Sequence, residues 1–369
     1  MDDAAMAAPS TLCFVSRKWP PAMGGMETYA HELSKALERD MEVLRIVLPG
    51  HPDGSVPGPL ELIRFGVAAA GRLLFAREPA EVTHVADMAS WPLGLCARIR
   101  RPGARIVLSA HGTDVSYPAR GGPKGRLYGA YLRLGARLLG RATVIANSSA
   151  TAACASGYGF RDIRVVPLAA EGPETRPGPP SRRLLFSGRL IPLKGCAWFI
   201  REVLPHLPED ITLDVAGIAS DAGEREALQS PRVRYLSRLE RPALWQAYSD
   251  ALCVVVPNVD TGNGTFEGFG LVATETAAAG GVVLAARHAG LQEAVAEGRT
   301  GLLLPPGDVG AWADAIREVA DWSPEERKAF IRASQTHCAE HFTWDRVARD
   351  TREVYADPAA AGSEWQAAR

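Results

Sequence analysis

Twelve apolar runs of strand length recur along this chain, each followed by a loop and most by a stretch of helical pattern, and this alternation is what most constrains its fold. A strand buried on both faces reads as a short continuous apolar run, and regular alternation of such strands with helices is the mark of a doubly wound parallel sheet. Six runs fall in the first half: Leu12–Ser16, Val43–Leu48, Val82–Val85, Ile106–Ser109, Val144–Asn147 and Val165–Pro167. Six more follow: Leu184–Ser187, Ile211–Ala216, Val233–Leu236, Leu252–Val256, Val282–Ala285 and Gly301–Leu304. Between the sets, Glu171 to Ser181 is dense in Pro and Gly and has no apolar stripe, so it reads as a linker. A chain of 369 residues is too long for one ordinary core. The expectation is an α/β protein with Rossmann-like domains over 1–170 and 183–345, a linker over 171–182 and a terminal segment over 346–369. Helical patterns at Ala311–Asp321 and Pro324–His341 are interrupted by Phe342-Thr-Trp-Asp345.

Composition removes several classes of function. Lys plus Arg (41) balances Asp plus Glu (42), which gives no electrostatic case for nucleic acid. The six cysteines are scattered with no CxxC, as expected of buried thiols in a reducing compartment rather than of a disulfide frame or a zinc site. Neither a Walker A motif nor GxGxxG is present, and no His, Cys and carboxylate set has metal-ligand spacing, so neither a cofactor nor a metal is expected. The first residues lack the basic start of a signal peptide, and the apolar stretch Val67–Ala76 is broken by Arg72. The protein is therefore expected in the cytoplasm.

The chemistry concentrates at Glu267 and Glu275, within Thr265-Phe-Glu-Gly-Phe-Gly-Leu-Val-Ala-Thr-Glu275. An apolar strand ends at Pro257, a loop of Asn, Asp, Thr and Gly follows, and helical composition begins at Leu271. A helix start after a Gly-rich loop is a ready anion site, with amides near Phe269, Gly270 and Leu271 pointing outward. Glu275 shares a helix face with Leu271 and can accept from both hydroxyls of a vicinal diol, and Glu267 can do the same for a second polyol. Taken alone, the pair also fits a helix N-terminus dressed with acids for its dipole.

The EGFG core with its second glutamate resembles the E-x7-E signature of the retaining glycosyltransferases of family 4, which have the GT-B architecture of two facing Rossmann-like domains. Four further elements match in order. Ser187-Gly-Arg-Leu-Ile-Pro-Leu-Lys-Gly195 resembles the family's GR-x4-KG segment, in which both cations, here Arg189 and Lys194, hold the donor diphosphate; by themselves they also fit solvated loop cations. Gly24-Gly25-Met-Glu27-Thr28 resembles the first loop, where the glycines approach the diphosphate or the acceptor and Glu27 and Thr28 face the cleft. His111-Gly-Thr-Asp114 resembles the H-G-x-D element beside the transferred sugar, with His111 on a sugar hydroxyl and Asp114 on the acceptor. Asn147-Ser148-Ser149 resembles the element lining the acceptor cleft, which makes Ser148 an acceptor contact.

Gly217 and Leu239, after successive strands, resemble positions flanking the nucleotide base. The usual G-x-G-P continuation is missing there, since Ile218 and Ala219 follow Gly217. Gly290-Leu-Gln-Glu293 resembles the loop closing the donor site, with Ala289-Gly290 where relatives have two glycines. The resemblance also implies a final helix crossing back to the first domain. It implies metal-independent, retaining transfer of a sugar from a nucleoside diphosphate, UDP being read ahead of GDP, to a hydroxyl of a small-molecule or glycan acceptor. His111, Arg189, Lys194 and Glu267 are the implied catalytic set. A sugar-nucleotide epimerase or hydrolase of the same architecture, or a binding protein without turnover, remains an alternative.

Lys124–Arg141 reads as an amphipathic basic helix, with Leu127, Tyr128, Tyr131 and Leu132 among four arginines. It suits either a sheet cover that keeps its arginines in water or a surface resting on an anionic bilayer; the first is the preferred reading.

Overall fold

All twelve expected strands form in the computed structural model, which describes residues 9–22, 24–170, 172–173 and 181–356. The first sheet contains β1 (Thr11–Trp19), β2 (Glu42–Pro49), β3 (Val82–Val85), β4 (Arg105–Ala110), β5 (Thr143–Ala146) and β6 (Asp162–Val165), in the order β2-β1-β3-β4-β5-β6. The second contains β7 (Arg183–Ser187), β8 (Thr212–Ala216), β9 (Val233–Ser237), β10 (Val254–Val256), β11 (Val283–Ala286) and β12 (Gly301–Leu304), in the order β12-β11-β10-β7-β8-β9. Every pairing between these strands is parallel. In each sheet the order reverses beside the first strand, the kind of point at which open α/β sheets collect ligands.

Central strands read most clearly. β3, β5, β10 and β11 are buried along their whole length, and each enclosed Val or Leu contributes roughly 1.5–3 kcal/mol. The edge strand β6 is displaced from expectation: only Val165 of the run Val165–Pro167 lies in it. Its residues are all half-buried, whereas the buried Val166 and Leu168 come after it, so the apolar signal marks the chain's exit from the sheet.

In the first unit the connections are α1 (Gly25–Leu37), α2 (Pro59–Leu74), α3 (Trp91–Arg100), α4 (Thr113–Ser116), α5 (Gly122–Leu138) and α6 (Ser149–Ser156). In the second they are α7 (Cys196–Trp198), which continues irregularly to His206, then α8 (Ala222–Ala227), α9 (Arg241–Asp250), α10 (Leu271–Ala278), α11 (Leu291–Ala294), α12 (Val309–Asp321) and α13 (Pro324–His341). The last described helix is α14 (Trp344–Ala356). The chain divides into two compact units: the first runs to Leu168 and resumes at Trp344, and the second is Ala169–Thr343. Of the expected linker, residues 171 and 174–180 lie outside the described residues, as does the tail from 357 onward.

Helix α14 returns the chain to the first unit. Trp344, Val347, Ala348, Thr351, Val354 and Tyr355 are buried at helical spacing, and the helix packs along α1. Buried Arg346 donates to the carbonyls of Pro167 and Leu168, at 2.7 and 3.1 Å, which ties the start of α14 to the end of the first-unit strands. At its other end the Tyr355 hydroxyl meets His84 Nδ1 at 2.5 Å, His84 Nε2 meets Ser109 Oγ at 2.6 Å, and Ser109 meets the Tyr29 hydroxyl at 2.7 Å. This enclosed polar chain runs from α14 through β3 and β4 to α1. Burial, with the nearby His111, holds the His84 imidazole down at about 3, so it stays neutral.

Helix α5 packs one face against α3 and the turn 117–120. Gly125, Gly129, Leu132, Gly135 and Ala136 are its buried positions, and the small residues let it lie close: a Cβ at Gly135 would stand 2.9 Å from the Trp91 ring.

Candidate active site

The expected site residues form two sets, one within each unit. In the second unit they gather at the C-terminal ends of β7, β8, β10 and β11. After β7 the chain passes Gly188 and Arg189, and Gly188 runs against the end of β8, where a Cβ on Gly217 would lie 1.8 Å from the Gly188 carbonyl oxygen. Lys194 closes a short 3₁₀ turn, and Gly195, at φ 71°, opens α7. No L side chain fits at Gly195, because its Cβ would meet the Pro257 carbonyl at 1.9 Å. The end of β10 therefore sets the height of the Lys194 turn.

That turn brings Lys194 Nζ onto Glu267 as an ion pair, with both side chains less than a fifth exposed. Desolvation pushes the Glu267 carboxyl up. The charge and hydrogen bond of Lys194, the charge of Arg189 and the amide of Phe269 outweigh it, and the group ends below the usual carboxylate range. Arg189 is exposed, and its side chain makes no hydrogen bond or ion pair among the described residues, so its guanidinium is available to an anion. Gly270, at φ 98°, turns the chain into α10, whose N-terminus carries no side-chain cap. Phe269 is buried with its ring 6.4 Å from Phe342, and Leu271 is half-buried at the first helical position. The loop after β11 supports this turn: the Gly290 amide donates to the Glu267 carbonyl at 3.2 Å, and a Cβ on Gly290 would reach the Gly268 carbonyl at 2.1 Å.

Glu275 lies half-buried on α10 beside the hydroxyl of Tyr248, a fully buried side chain of α9. The same hydroxyl donates to Ser187 Oγ at 3.2 Å. Burial and the Glu275 carboxylate both push Tyr248 well above its ordinary value, so it remains a neutral donor. Leu239 packs against the apolar cluster around Tyr248 and Leu185. Asn258, at the end of β10, is buried with both side-chain polar atoms lacking a hydrogen-bond partner.

In the first unit, Gly24 and Gly25 are exposed at the opening of α1, Thr28 is half-buried in its first turn, and Glu27 is buried and pairs with Lys18 at 3.3 Å. His111 is buried, its Nε2–H donating to the Ala86 carbonyl at 2.9 Å and its ring lying edge-on to Tyr29 with centroids 4.6 Å apart. Asp114 accepts from the His111 amide at 2.8 Å and the Met88 amide at 3.1 Å, which ties the loop after β4 to the loop after β3. Burial pushes its carboxyl up against the pull of His111 and these two amides. Ser148 is sealed from solvent, and its hydroxyl accepts from Thr151 N at 3.2 Å as the N-cap of α6. Its place is at the base of the helix, where an acceptor has no access to it.

Sequence motifs did not reveal the neighbours of His111. Arg17 Nε donates to the fully buried Asp87 at 2.9 Å, and Tyr128 and Tyr131 of α5 stack beside them with centroids 5.8 Å apart. Burial works against the Arg17 charge, and Asp87 more than restores it. A neutralised ion pair beside aromatic hydroxyls can bind a polyol by hydrogen bonds and ring contact. The one available hint was position, since Arg17 and Lys18 lie at the end of β1. No group of three or more His, Cys, Asp or Glu side chains suited to a metal ion occurs among the described residues.

Two six-stranded parallel sheets with helices, and a last helix that returns to the first unit, define the GT-B class of glycosyltransferases. Solved structures share this fold. Anabaena Alr3699/HepE, in complex with UDP and glucose, is 19% identical over 94% of this chain and 99% of its own, with a TM-score of 0.69. Sucrose-phosphate synthase from Thermosynechococcus elongatus is 19% identical over 94% and 98%, with a TM-score of 0.74. The Glycosyltransferase Family 4 model matches residues 23–170 and the Glycosyl transferases group 1 model matches residues 181–321. The chain belongs to the group 1 glycosyltransferases. Among curated relatives, glycogen synthase of Mycobacterium tuberculosis is 27% identical over 93% of this chain and 94% of its own. D-inositol 3-phosphate glycosyltransferase of Streptomyces avermitilis is 36% identical, over 46% of this chain and 39% of its own length.

Proposed function

We propose that this glycosyltransferase moves a sugar from a nucleoside diphosphate sugar, a UDP sugar ahead of a GDP sugar, to an acceptor hydroxyl with retention and without a metal ion. The observation that carries the reading is the Lys194–Glu267 pair beside the unpartnered Arg189 at the uncapped start of α10. Two cations and a helix N-terminus suit a diphosphate, and they stabilise the charge that grows on it as the glycosidic bond breaks. Glu267 orients the transferred sugar from beside the phosphate cations, and Glu275, steadied by Tyr248, takes the ribose diol. As the anomeric carbon becomes cationic, a phosphate oxygen of the leaving group accepts the acceptor proton on the same face, which preserves configuration. In the first unit, His111 and the opening of α1 with Glu27 and Thr28 serve the acceptor side, and Asp114 holds the loop that carries His111.

The UDP and glucose bound in the HepE complex support the choice of nucleotide. A thermal-shift panel of UDP, GDP and ADP sugars tests it, because only a ligand that binds the folded chain raises its melting point. Nucleotide release measured with and without hydroxylated acceptors then tests transfer: release that needs the acceptor supports it, and donor consumption without acceptor points to hydrolysis or epimerisation. NMR of the product's anomeric proton decides retention.

A further inference from the structure

We propose that Ser237 selects the nucleobase of the donor, its side chain admitting a pyrimidine ring and its hydroxyl donating to a ring carbonyl; the assignment rests on the proposed nucleoside diphosphate donor. The starting observation is strain. Among the described residues only two besides glycine have positive φ, Ser237 at 57° and Ala289 at 46°, and both lie in the second unit where the chain leaves the C-terminal end of a strand. A side chain in the left-handed region persists where its surroundings hold it, and such residues gather at functional sites. Ala289 precedes Gly290, whose amide supports Glu267. Ser237, the last residue of β9, supports no charged residue of the site directly.

The surroundings of Ser237 do hold it. Val215 pairs with Tyr235 and Ala216 with Ser237, so β9 carries an extra residue, a bulge of the kind that re-aims a side chain beside a site. The Gly217 amide donates to the Ser237 carbonyl at 2.8 Å, and the Tyr235 hydroxyl donates to the Gly217 carbonyl at 2.9 Å. Gly217 in turn lies against Gly188, the neighbour of Arg189. The end of β9 is thus fixed relative to the chain that carries Arg189, yet the Ser237 side chain is exposed and its hydroxyl makes no hydrogen bond among the described residues.

Sheet order says what reaches it. In β10-β7-β8-β9 the charged residues follow β10 and β7, and Glu275 with Tyr248 stands at Ser187, the end of β7. A ribose held there carries its base on the side away from the diphosphate, and β9 lies two strands further out, about 10 Å. That is the reach of a nucleoside. The base arrives over the ends of β8 and β9, beside the Tyr235 ring, which is 44% exposed. Uracil offers two carbonyl acceptors on a single ring, whereas a purine needs the volume that the Ser237 side chain fills.

Isothermal titration of the full chain with UDP, GDP, ADP and inorganic pyrophosphate tests the assignment, with Ser237→Ala and Ser237→Gly beside the parent. The parent is expected to prefer UDP. Ser237→Ala keeps most of the volume and loses the hydroxyl, so its UDP affinity is expected to fall by about three- to tenfold while GDP and ADP stay poor ligands. Ser237→Gly is expected to lose the same affinity and, with the volume gone, most of the preference over GDP and ADP. Its melting point should not fall, because glycine adopts a φ of 57° freely. Pyrophosphate should bind all three proteins alike, which separates a contact with the base from a disturbance passed through Gly217 and Gly188 to Arg189. UDP affinity unchanged in both variants, or pyrophosphate weakened together with UDP, would overturn the role of Ser237 and leave the donor reading standing. A parent that prefers a purine nucleotide would overturn the assignment as well. A parent that binds none of the four would sink both the assignment and the donor reading.

Discussion

Tyr248 stands between two polar partners: its hydroxyl donates to Ser187 Oγ at 3.2 Å and faces the carboxylate of Glu275, 27 positions later in the chain. The end of β7, the last turn of α9 and the first turns of α10 are thereby tied through one buried oxygen. Tyr248→Phe keeps the ring and removes only that tie. The Michaelis constant for the donor is expected to rise about tenfold with a smaller change in kcat, and stability to fall by about 1 kcal/mol, as for a typical lost hydrogen bond. Steady-state kinetics and urea denaturation measure the two effects separately.

Lys194→Ala leaves Glu267 with desolvation and only the weaker pulls of Arg189 and the Phe269 amide. Activity is expected to fall by about 10²–10³-fold with the melting point little changed. The parent's Glu267 stays charged below the usual carboxylate range. In the variant its pKa rises, and the acid limb of the pH profile of kcat/KM moves to higher pH. A profile that keeps its acid limb would show that Lys194 does not govern Glu267.

Gly195→Ala places a methyl group where the Pro257 carbonyl oxygen already lies, at a backbone φ of 71°. Strain of this kind typically amounts to about 1–3 kcal/mol, and here a backbone collision adds to it. Chemical denaturation should show the loss, and donor affinity should fall with it because Lys194 directly precedes the strained residue.

His84 makes stability depend on pH in a definite direction. The unfolded chain takes up a proton near pH 6.5 and the folded chain only at about 3, so between these values the unfolded state binds more protons. Stability is fully present above the unfolded value and declines as pH falls toward 3, with a slope of up to about 1.4 kcal/mol per pH unit from this group. His84→Gln is expected to be less stable at neutral pH and to show a shallower decline. Melting curves of both proteins across that range check the sign.

Incubation with a chelator is expected to leave turnover unchanged, since in the proposed reading Arg189 and Lys194 supply the positive charge for the diphosphate. Loss of activity with EDTA, restored by a divalent ion, would overturn the metal-free reading.

The strands and the charged motif residues were legible for one reason. In an open parallel sheet, buried strands declare themselves as apolar runs, and the motif residues Arg189, Lys194, His111 and Glu267 lie in the segments that follow their C-terminal ends. The buried polar residues that tie neighbouring elements together were not legible. Tyr248, His84 and Asp87 find their partners from elements distant in sequence, and each reads locally as an ordinary core or loop residue. Ser148 shows the opposite error: a polar residue after a strand is also how a helix is capped, and the cap is what its hydroxyl makes. Helix α5 was legible only as amphipathic. Its buried glycines belong to tertiary packing.

Because the second unit is spliced in between β6 and α14, the first unit is born incomplete. As the chain leaves the ribosome, β1 to β6 emerge well before the helix that covers α1 and supplies Tyr355 to His84. The final packing step of the first unit must therefore wait for the whole second unit to be synthesised. A fragment ending at Leu168 would bare the α14-facing side of α1 and leave the His84 chain one hydroxyl short.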